Sequence, residues 1–484
     1  MLALTAMLTA CSESSDSNTP LTDDAPCLLT FGFYAADNGG ILADDYVTTV
    51  TTSSPSQITL SLPPLVDCSH LVARFTTPQG QSVWVNDEQQ QNGVTPHDFT
   101  LPIDYYVTNG KLWQRYEVLV SRRRSGSWQA LPAWLDNTVY SISHIAVSPT
   151  DNSVYAAFKS RKVASTGEEN LNIHLLHLDA DDQWQLVGQS SHRAYSSYLG
   201  FDVSPSGRPY FAYPNYDQQP YGTIVEYLDE SGHIVTVGDN LENAQANYIG
   251  FAALSDDLLI SSMVGNTSAT YYRTNATSIY KEGTWQVGMG PCGSMTVYKC
   301  TMTKYKDTAY LAIMERATGY AIHIYRYADG QWQEIEGYQE KGIDNGIAAG
   351  AFKLTTDSYG KLYVLTDDNT AGTYLIRLKK YDVQTGAWST VGGNPTIIDG
   401  HDSHVQACAA IAPNGTPFIC YRDIPDHSYF KYICLDPETR QWTDPVTICT
   451  DPVNGDISMA FTSASVGYAS YVDTDNHLRL FRFN

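Results

Sequence analysis

Hydrophobic and polar positions alternate along most of the chain in short runs, broken by clusters of Asp, Asn, Gly and Ser. Period-two alternation rich in Tyr, Val, Ile and Thr is the pattern of β-strands, and it predicts an all-β chain. The clearest runs are VYAAFKS (154–160), YFAYPN (210–215), YLAIMER (310–316), YVLTDD (363–368), FICYRD (418–423) and YASYVD (468–473).

A longer period overlies the strands. A turn followed by Trp, often with Val-Gly after it, recurs at Trp128, Trp184, Trp285, Trp332, Trp388 and Trp442, and SGHIVTVG puts Ile234 at the same place. Successive intervals, with Ile234 counted, are 56, 50, 51, 47, 56 and 54 residues. Four strands in about 50 residues, repeated, is the signature of a β-propeller blade. Residues 443–484 hold three strands, and WQALPAW (128–134) supplies the missing fourth. The prediction is a seven-bladed β-propeller over 123–484, closed by strands from both ends so that no sheet edge stays open. The Trp residues read as wedges between blades rather than as a binding ladder. The D-x-G-x-x-W box of sialidases is absent, since Asp329-Gly330-Gln331-Trp332 is too short for it, and kelch and WD40 signatures are missing.

The start of the chain differs. Residues 1–10 form an apolar run too short to span a bilayer, so they read as a signal segment. The charged start of a full signal is expected upstream, since no Lys or Arg precedes the run. Leu8-Thr9-Ala10-Cys11 resembles a bacterial lipobox, which implies lipid attachment at Cys11. Residues 11–23 are polar and acidic, a tether that resembles the surface-export signal of Bacteroidetes-type lipoproteins. Residues 24–122 lack the Trp repeat. Within them, 56–120 carries an LSLP strand, a turn at Asp67-Cys68, a HDFT-x-P segment and a terminal YEVLV strand. This resembles the small Ig-like β-sandwich modules that precede binding or catalytic domains in such lipoproteins. It implies a stalk before the propeller; Cys27 could staple to Cys68, which stands where Ser is more usual, and the sequence leaves the pairing open.

Composition narrows the class of function. Lys+Arg 29 against Asp+Glu 52 leaves a net charge of −23, which repels nucleic-acid backbones and anionic bilayers. Eight cysteines remain once Cys11 is set aside, an even number that fits an exported chain with disulfides or buried thiols. None has zinc spacing. The 34 Tyr suit both sugar stacking and strand composition.

Candidate chemistry follows from loop position. In a propeller, the loops between blades and those joining second to third strands share one face. The first loop residues there are Ser160, Asn215, Val264, Glu315, Asp367, Asp423 and Asp473, which predicts an acidic funnel mouth for a hydroxyl-rich ligand or Ca²⁺. No other cofactor is implied. One blade gathers His401, Asp402 and His404 in its incoming loop, and Arg422, Asp423, Asp426 and His427 after its second strand, with Tyr421 and Tyr429 flanking. His beside carboxylate is general-base or proton-shuttle chemistry. A second group is His192, Arg193, Tyr195 and Tyr198, suited to a carboxylate-bearing sugar. No Ser-His-Asp order, Walker loop, dinucleotide fingerprint or H-E-x-x-H occurs.

The expectation is a monomeric lipoprotein of the outer membrane, surface-exposed or periplasmic, whose propeller funnel binds a glycan or protein partner without catalysis. The alternatives are a polysaccharide lyase or glycosidase using His401, His404, His427 or Tyr421, and a scaffold subunit of an outer-membrane complex.

Overall fold

The computed structural model describes residues 25–42, 44–50, 57–122, 126–195, 198–266, 271–317, 319–338, 351–368, 375–393, 406–437 and 439–484. Among them every helix or strand is a strand, and no helix is long and apolar enough to cross a membrane. The signal segment, the tether and Cys11 lie outside the described residues.

Two compact units emerge. The first takes in the described residues up to Asp37, then Asp45–Ser61 and Ser69–Ser121; the second takes in Asn38–Asp44, Leu62–Cys68 and Arg122–Asn484. This differs from a division at 122/123 by two short segments. Leu65 accounts for one of them: it is buried among Phe418, Met459 and Phe481, and Ser465 Oγ donates to its carbonyl at 2.9 Å.

The first unit has a four-stranded sheet centred on Thr30–Phe33 and Leu71–Thr76, and a five-stranded sheet centred on Trp113–Arg122 and Ile103–Thr108. Gln57–Leu62 alternates strictly between exposed and buried residues, as a strand with one solvated face must. Edge-to-face rings fill the core: Phe31 meets Tyr105 at 5.0 Å and Phe33 meets Phe99 at 4.8 Å.

In the second unit the described strands form seven antiparallel four-stranded sheets, numbered here in chain order of their first strands. Those first strands are Asn137–Val147, Gly200–Val203, Ala246–Ser255, Val297–Tyr305, Phe352–Thr356, Ala407–Ile411 and Ser458–Phe461. Each first strand packs against that of the next sheet, and the seventh returns to the first, so they form a closed cycle. Second strands are covered on both faces: Pro209–Pro214 and Gly467–Val472 are buried throughout. Fourth strands such as Ala387–Thr390 are largely exposed. The seventh sheet borrows its fourth strand from the start of the unit, with Trp128 opposite Phe483 and Ala130 opposite Phe481.

The turn-Trp repeat has a packing reason. Three of the indoles bond to the outer strand of the preceding sheet or just past its end: Trp285 Nε1 donates to the Val237 carbonyl at 2.7 Å, Trp388 to Glu336 at 3.1 Å and Trp442 to Val391 at 3.3 Å. Gly238 and Gly392 make room for the Trp of the next sheet. A Cβ on Gly238 would lie 2.7 Å from Trp285 Nε1. The repeat is therefore an interlock between sheets.

All eight described cysteines are thiols, so the expected Cys27–Cys68 staple is not formed. Burial is the reason for several of them: Cys68, Cys300, Cys408 and Cys420 behave as small apolar residues within the core.

Candidate functional site

A cavity of about 340 Å³ opens where the first strands of the second unit begin. Its wall includes His144 of the first sheet, Tyr198 before the second, Tyr248 of the third, Tyr298 and Lys299 of the fourth, Lys353 of the fifth and Asp456 before the seventh. Further along the strands, Lys304 ties three of them together. Its Nζ meets Asp202 Oδ2 and the Ala253 carbonyl, each at 2.7 Å, and also the Val203 carbonyl.

Irregular pairing aims the tyrosines. The ladder of the third sheet shifts register between Asn247 and Gly250, leaving Tyr248 unpaired with φ +50°. A non-glycine residue there is strained, and bulges of this kind redirect side chains at sites. The fourth sheet shifts between Val297 and Lys299, freeing Tyr298 in the same way. Two residues after Tyr198 and Tyr248 comes a glycine, needed for close approach of neighbouring strands. A Cβ on Gly200 would lie 2.6 Å from Phe251 Cβ, and one on Gly250 2.9 Å from Met302 Cβ. In the fourth sheet Cys300 occupies that position, and its Sγ donates to the Tyr248 carbonyl at 2.6 Å.

The result is an arc of rings. Tyr198 and Tyr248 are 4.6 Å apart, Tyr248 and Tyr298 5.9 Å, and Tyr298 meets Tyr320 edge-on at 5.6 Å. Burial first, and the neighbouring phenols second, push Tyr248 and Tyr298 up to about 12. Their hydroxyls therefore stay protonated and can both donate and accept.

Charges face the arc. Lys353 Nζ lies 3.4 Å from Asp456 Oδ2, and Lys299 Nζ lies 5.9 Å and 5.6 Å from the centres of the Tyr248 and Tyr298 rings. Both partners of the Lys353–Asp456 pair keep contact with the cavity, 28% and 42% exposed. Burial alone would raise the Asp456 carboxyl, but Lys353, His144 and Lys299 outweigh it and hold it below the usual range. His144 is pushed down to about 4 by burial and then by Lys353, against the pull of Asp456, so it is neutral at pH 7.

The residues singled out in the sequence fall elsewhere. His401, Asp402 and His404 lie outside the described residues. Asp367 lies next to last in the second strand of the fifth sheet, Leu362–Asp368, and its side chain is outside the described part. Tyr421 corrects the expectation of a loop-flanking phenol. It is buried in the apolar core with Leu365, Leu378 and Ile433, because its strand is covered on both faces. Arg422 is half-buried in the same strand, opposite Phe430. Asp423 and Asp426 converge on a cation: Lys431 Nζ is 2.8 Å from one and 2.5 Å from the other. The hydrogen bond from Lys431, and then that from His427, holds the Asp426 carboxyl below its ordinary value. His427, at φ +58°, is exposed, with Nδ1 3.3 Å from Asp426 Oδ1 and its ring stacked on Tyr429 at 5.3 Å.

The other carboxylates of the expected acidic mouth are also matched. Asp473 pairs with Arg479 Nε at 2.7 Å and accepts the amides of Asp475 and His477, closing its own turn. Glu315 lies 3.6 Å from His323 Nε2. Ser160 and Asn215 are buried in side-chain hydrogen bonds, and Val264 is core. Among the described residues no three His, Cys, Asp or Glu side chains converge as a metal would need.

The second expected group divides. Tyr198 lines the cavity. Arg193 instead grips Asp217, through Nε at 2.7 Å and its amide at 3.0 Å, and lies 4.7 Å over Tyr216. Tyr195 stacks on Tyr221 at 3.9 Å and 9°. This cluster is an interlocked rim of the second sheet, its ring faces turned on one another.

Tyr248 and Tyr298 were missed in the sequence, although a signal existed. Tyr198-Leu199-Gly200-Phe201 and Tyr248-Ile249-Gly250-Phe251 are 50 residues apart, and Tyr298 follows after another 50.

A family model described as SGBP, N-terminal matches residues 41–120. No curated protein matches the chain. Among solved structures, an arginine mutant of AofleA from Arthrobotrys oligospora aligns at 10% identity over 74% of this chain and 87% of that one, TM-score 0.41. An Aleuria aurantia lectin mutant in complex with Fucalpha1-6GlcNAc aligns at 11% identity over 72% and 93%, TM-score 0.43. The lectin of the same fungus described as having a six-bladed β-propeller fold aligns at 10% over 73% and 93%, TM-score 0.42. Likenesses this remote enter no argument about fold or ligand.

Proposed function

We propose that this chain is a glycan-binding protein displayed at the cell surface, holding saccharide in the tyrosine-lined cavity without turning it over. The arc of Tyr198, Tyr248 and Tyr298 carries the reading. Adjacent phenol rings offer apolar faces to a pyranose, while protonated hydroxyls and nearby charges fix its orientation. The match of 41–120 to SGBP, a family of glycan-binding surface proteins, supports the same class of function.

In this reading the seven four-stranded sheets are the blades of a β-propeller, supported by the closed cycle of first strands and the borrowed strand Trp128–Ala130. The cavity is then its funnel. The two-sheet unit before it is an Ig-like stalk, and Cys11 carries the lipid that holds a monomer on the outer membrane.

Calorimetric titration against a panel of soluble polysaccharides, run beside an assay for released or unsaturated sugar ends, tests the reading. Binding without product is expected. Product would make the protein a lyase or glycosidase, and neither binding nor product across the panel would leave the scaffold role.

A further inference from the structure

Three ion pairs of the unit are tight: Lys431 meets carboxylates at 2.5 Å and 2.8 Å, Lys304 at 2.7 Å and Arg479 at 2.7 Å. In the cavity, Lys353 and Asp456 are 3.4 Å apart, beyond the span of a tight charge-assisted hydrogen bond, and both side chains are part-exposed. Lys299 comes from the neighbouring first strand and faces the same space over Tyr248 and Tyr298. Among the described lining residues, two lysines stand against the Asp456 carboxylate. In a chain of net charge −23, the described wall of the tyrosine-lined space thus carries more cations than anions.

We propose that this cavity selects an anionic sugar residue, a uronate or an ester-sulfated pyranose. Its ring packs on Tyr248 and Tyr298, and its anion sits between the Lys299 and Lys353 ammonium groups. The proposal rests on the glycan-binding reading and adds the ligand's charge. Asp456 takes a further part: it accepts hydroxyls of the sugar and disfavours a second anion beside the first, which makes a singly charged residue the preferred guest. Low-dielectric walls strengthen both lysine contacts relative to the open surface, so one substituent on the sugar is enough to discriminate.

The test uses the whole chain and matched polymers: polygalacturonate and alginate, the same polymers after carboxyl reduction to neutral sugars, a carrageenan, and neutral galactan. The acidic polymers are expected to bind at least about ten-fold more tightly than their reduced forms, with affinity falling as salt rises. Lys299→Met and Lys353→Met should each lose about ten-fold on the acidic polymers, whereas Lys353→Arg, which keeps the charge next to Asp456, should retain binding. Binding of carrageenan in place of uronates also supports the proposal, with sulfate as the anion. Equal binding of an acidic polymer and its reduced form, or of neutral galactan alone, overturns it while leaving the glycan-binding reading intact. Binding of no polymer overturns both.

Discussion

The Nε1 of Trp285 lies 2.7 Å from where an alanine Cβ would stand at Gly238, and that same nitrogen donates to the Val237 carbonyl at 2.7 Å. One sheet's glycine is the socket of the next sheet's tryptophan. Gly238→Ala should therefore cost about 1–3 kcal/mol through overpacking. Gly288 meets nothing within 4 Å, so Gly288→Ala should stay within about 0.5 kcal/mol of the parent. Thermal and denaturant unfolding of both variants checks the contrast.

Acid should loosen the fold before its carboxylates are protonated. His174 is buried in the third strand of the first sheet, and burial pushes it down to about 4 from 6.5, with Gln189 pulling weakly the other way. Between those values the unfolded chain holds a proton that the folded chain refuses. Its contribution to stability is thus complete above pH 6.5, falls as pH drops toward 4 and is flat below. The full change is roughly 3 kcal/mol for a shift of that size. His174→Leu should lessen the slope of the stability–pH curve across this window, His144 supplying the remainder, as followed by the melting temperature at half-unit steps.

Lys431 has a structural duty. Its side chain is 12% exposed and the Asp423 carboxylate 14%, so Lys431→Met would strand a nearly buried charge. A loss of about 2–4 kcal/mol is expected, and Lys431→Met combined with Asp423→Asn should recover part of it. Equal losses in the single and double variants would show that the pair does not couple.

Arg193 belongs to the rim, where Asp217 and the Tyr216 ring already occupy its guanidinium. Arg193→Gln should loosen the loop around Tyr216 and Tyr221 yet change glycan affinity by less than about two-fold. A loss of ten-fold or more would move the site to the rim.

What the residues revealed in advance follows from what repeats. Packing between sheets repeats a turn followed by a large apolar residue, so the period, the four-strand unit and the closing strand at Trp128 were legible. The two segments Asn38–Asp44 and Leu62–Cys68 were not, because their burial depends on partners such as Ser465, hundreds of residues away. Site residues were sought among carboxylates at strand ends. Asp423 and Asp473 looked available there because Lys431 and Arg479 reach them from the opposite strand, a pairing that local reading does not see. The tyrosines at 50-residue spacing were in view throughout, but 34 Tyr in the chain hid the two, Tyr248 and Tyr298, that share a cavity with Tyr198.

The central claim is that this arc holds the sugar, and Tyr248 offers the cleanest handle on it. Its φ of +50° is a conformation that Asn adopts readily, so Tyr248→Asn removes the ring while suiting the backbone. The decisive measurement is a glycan array probed with the parent chain and with Tyr248→Asn, alongside their melting temperatures. The account predicts a defined set of glycans bound by the parent, at least about ten-fold weaker signals from the variant, and melting temperatures within a few degrees of each other. Undiminished binding by a folded Tyr248→Asn protein would contradict it.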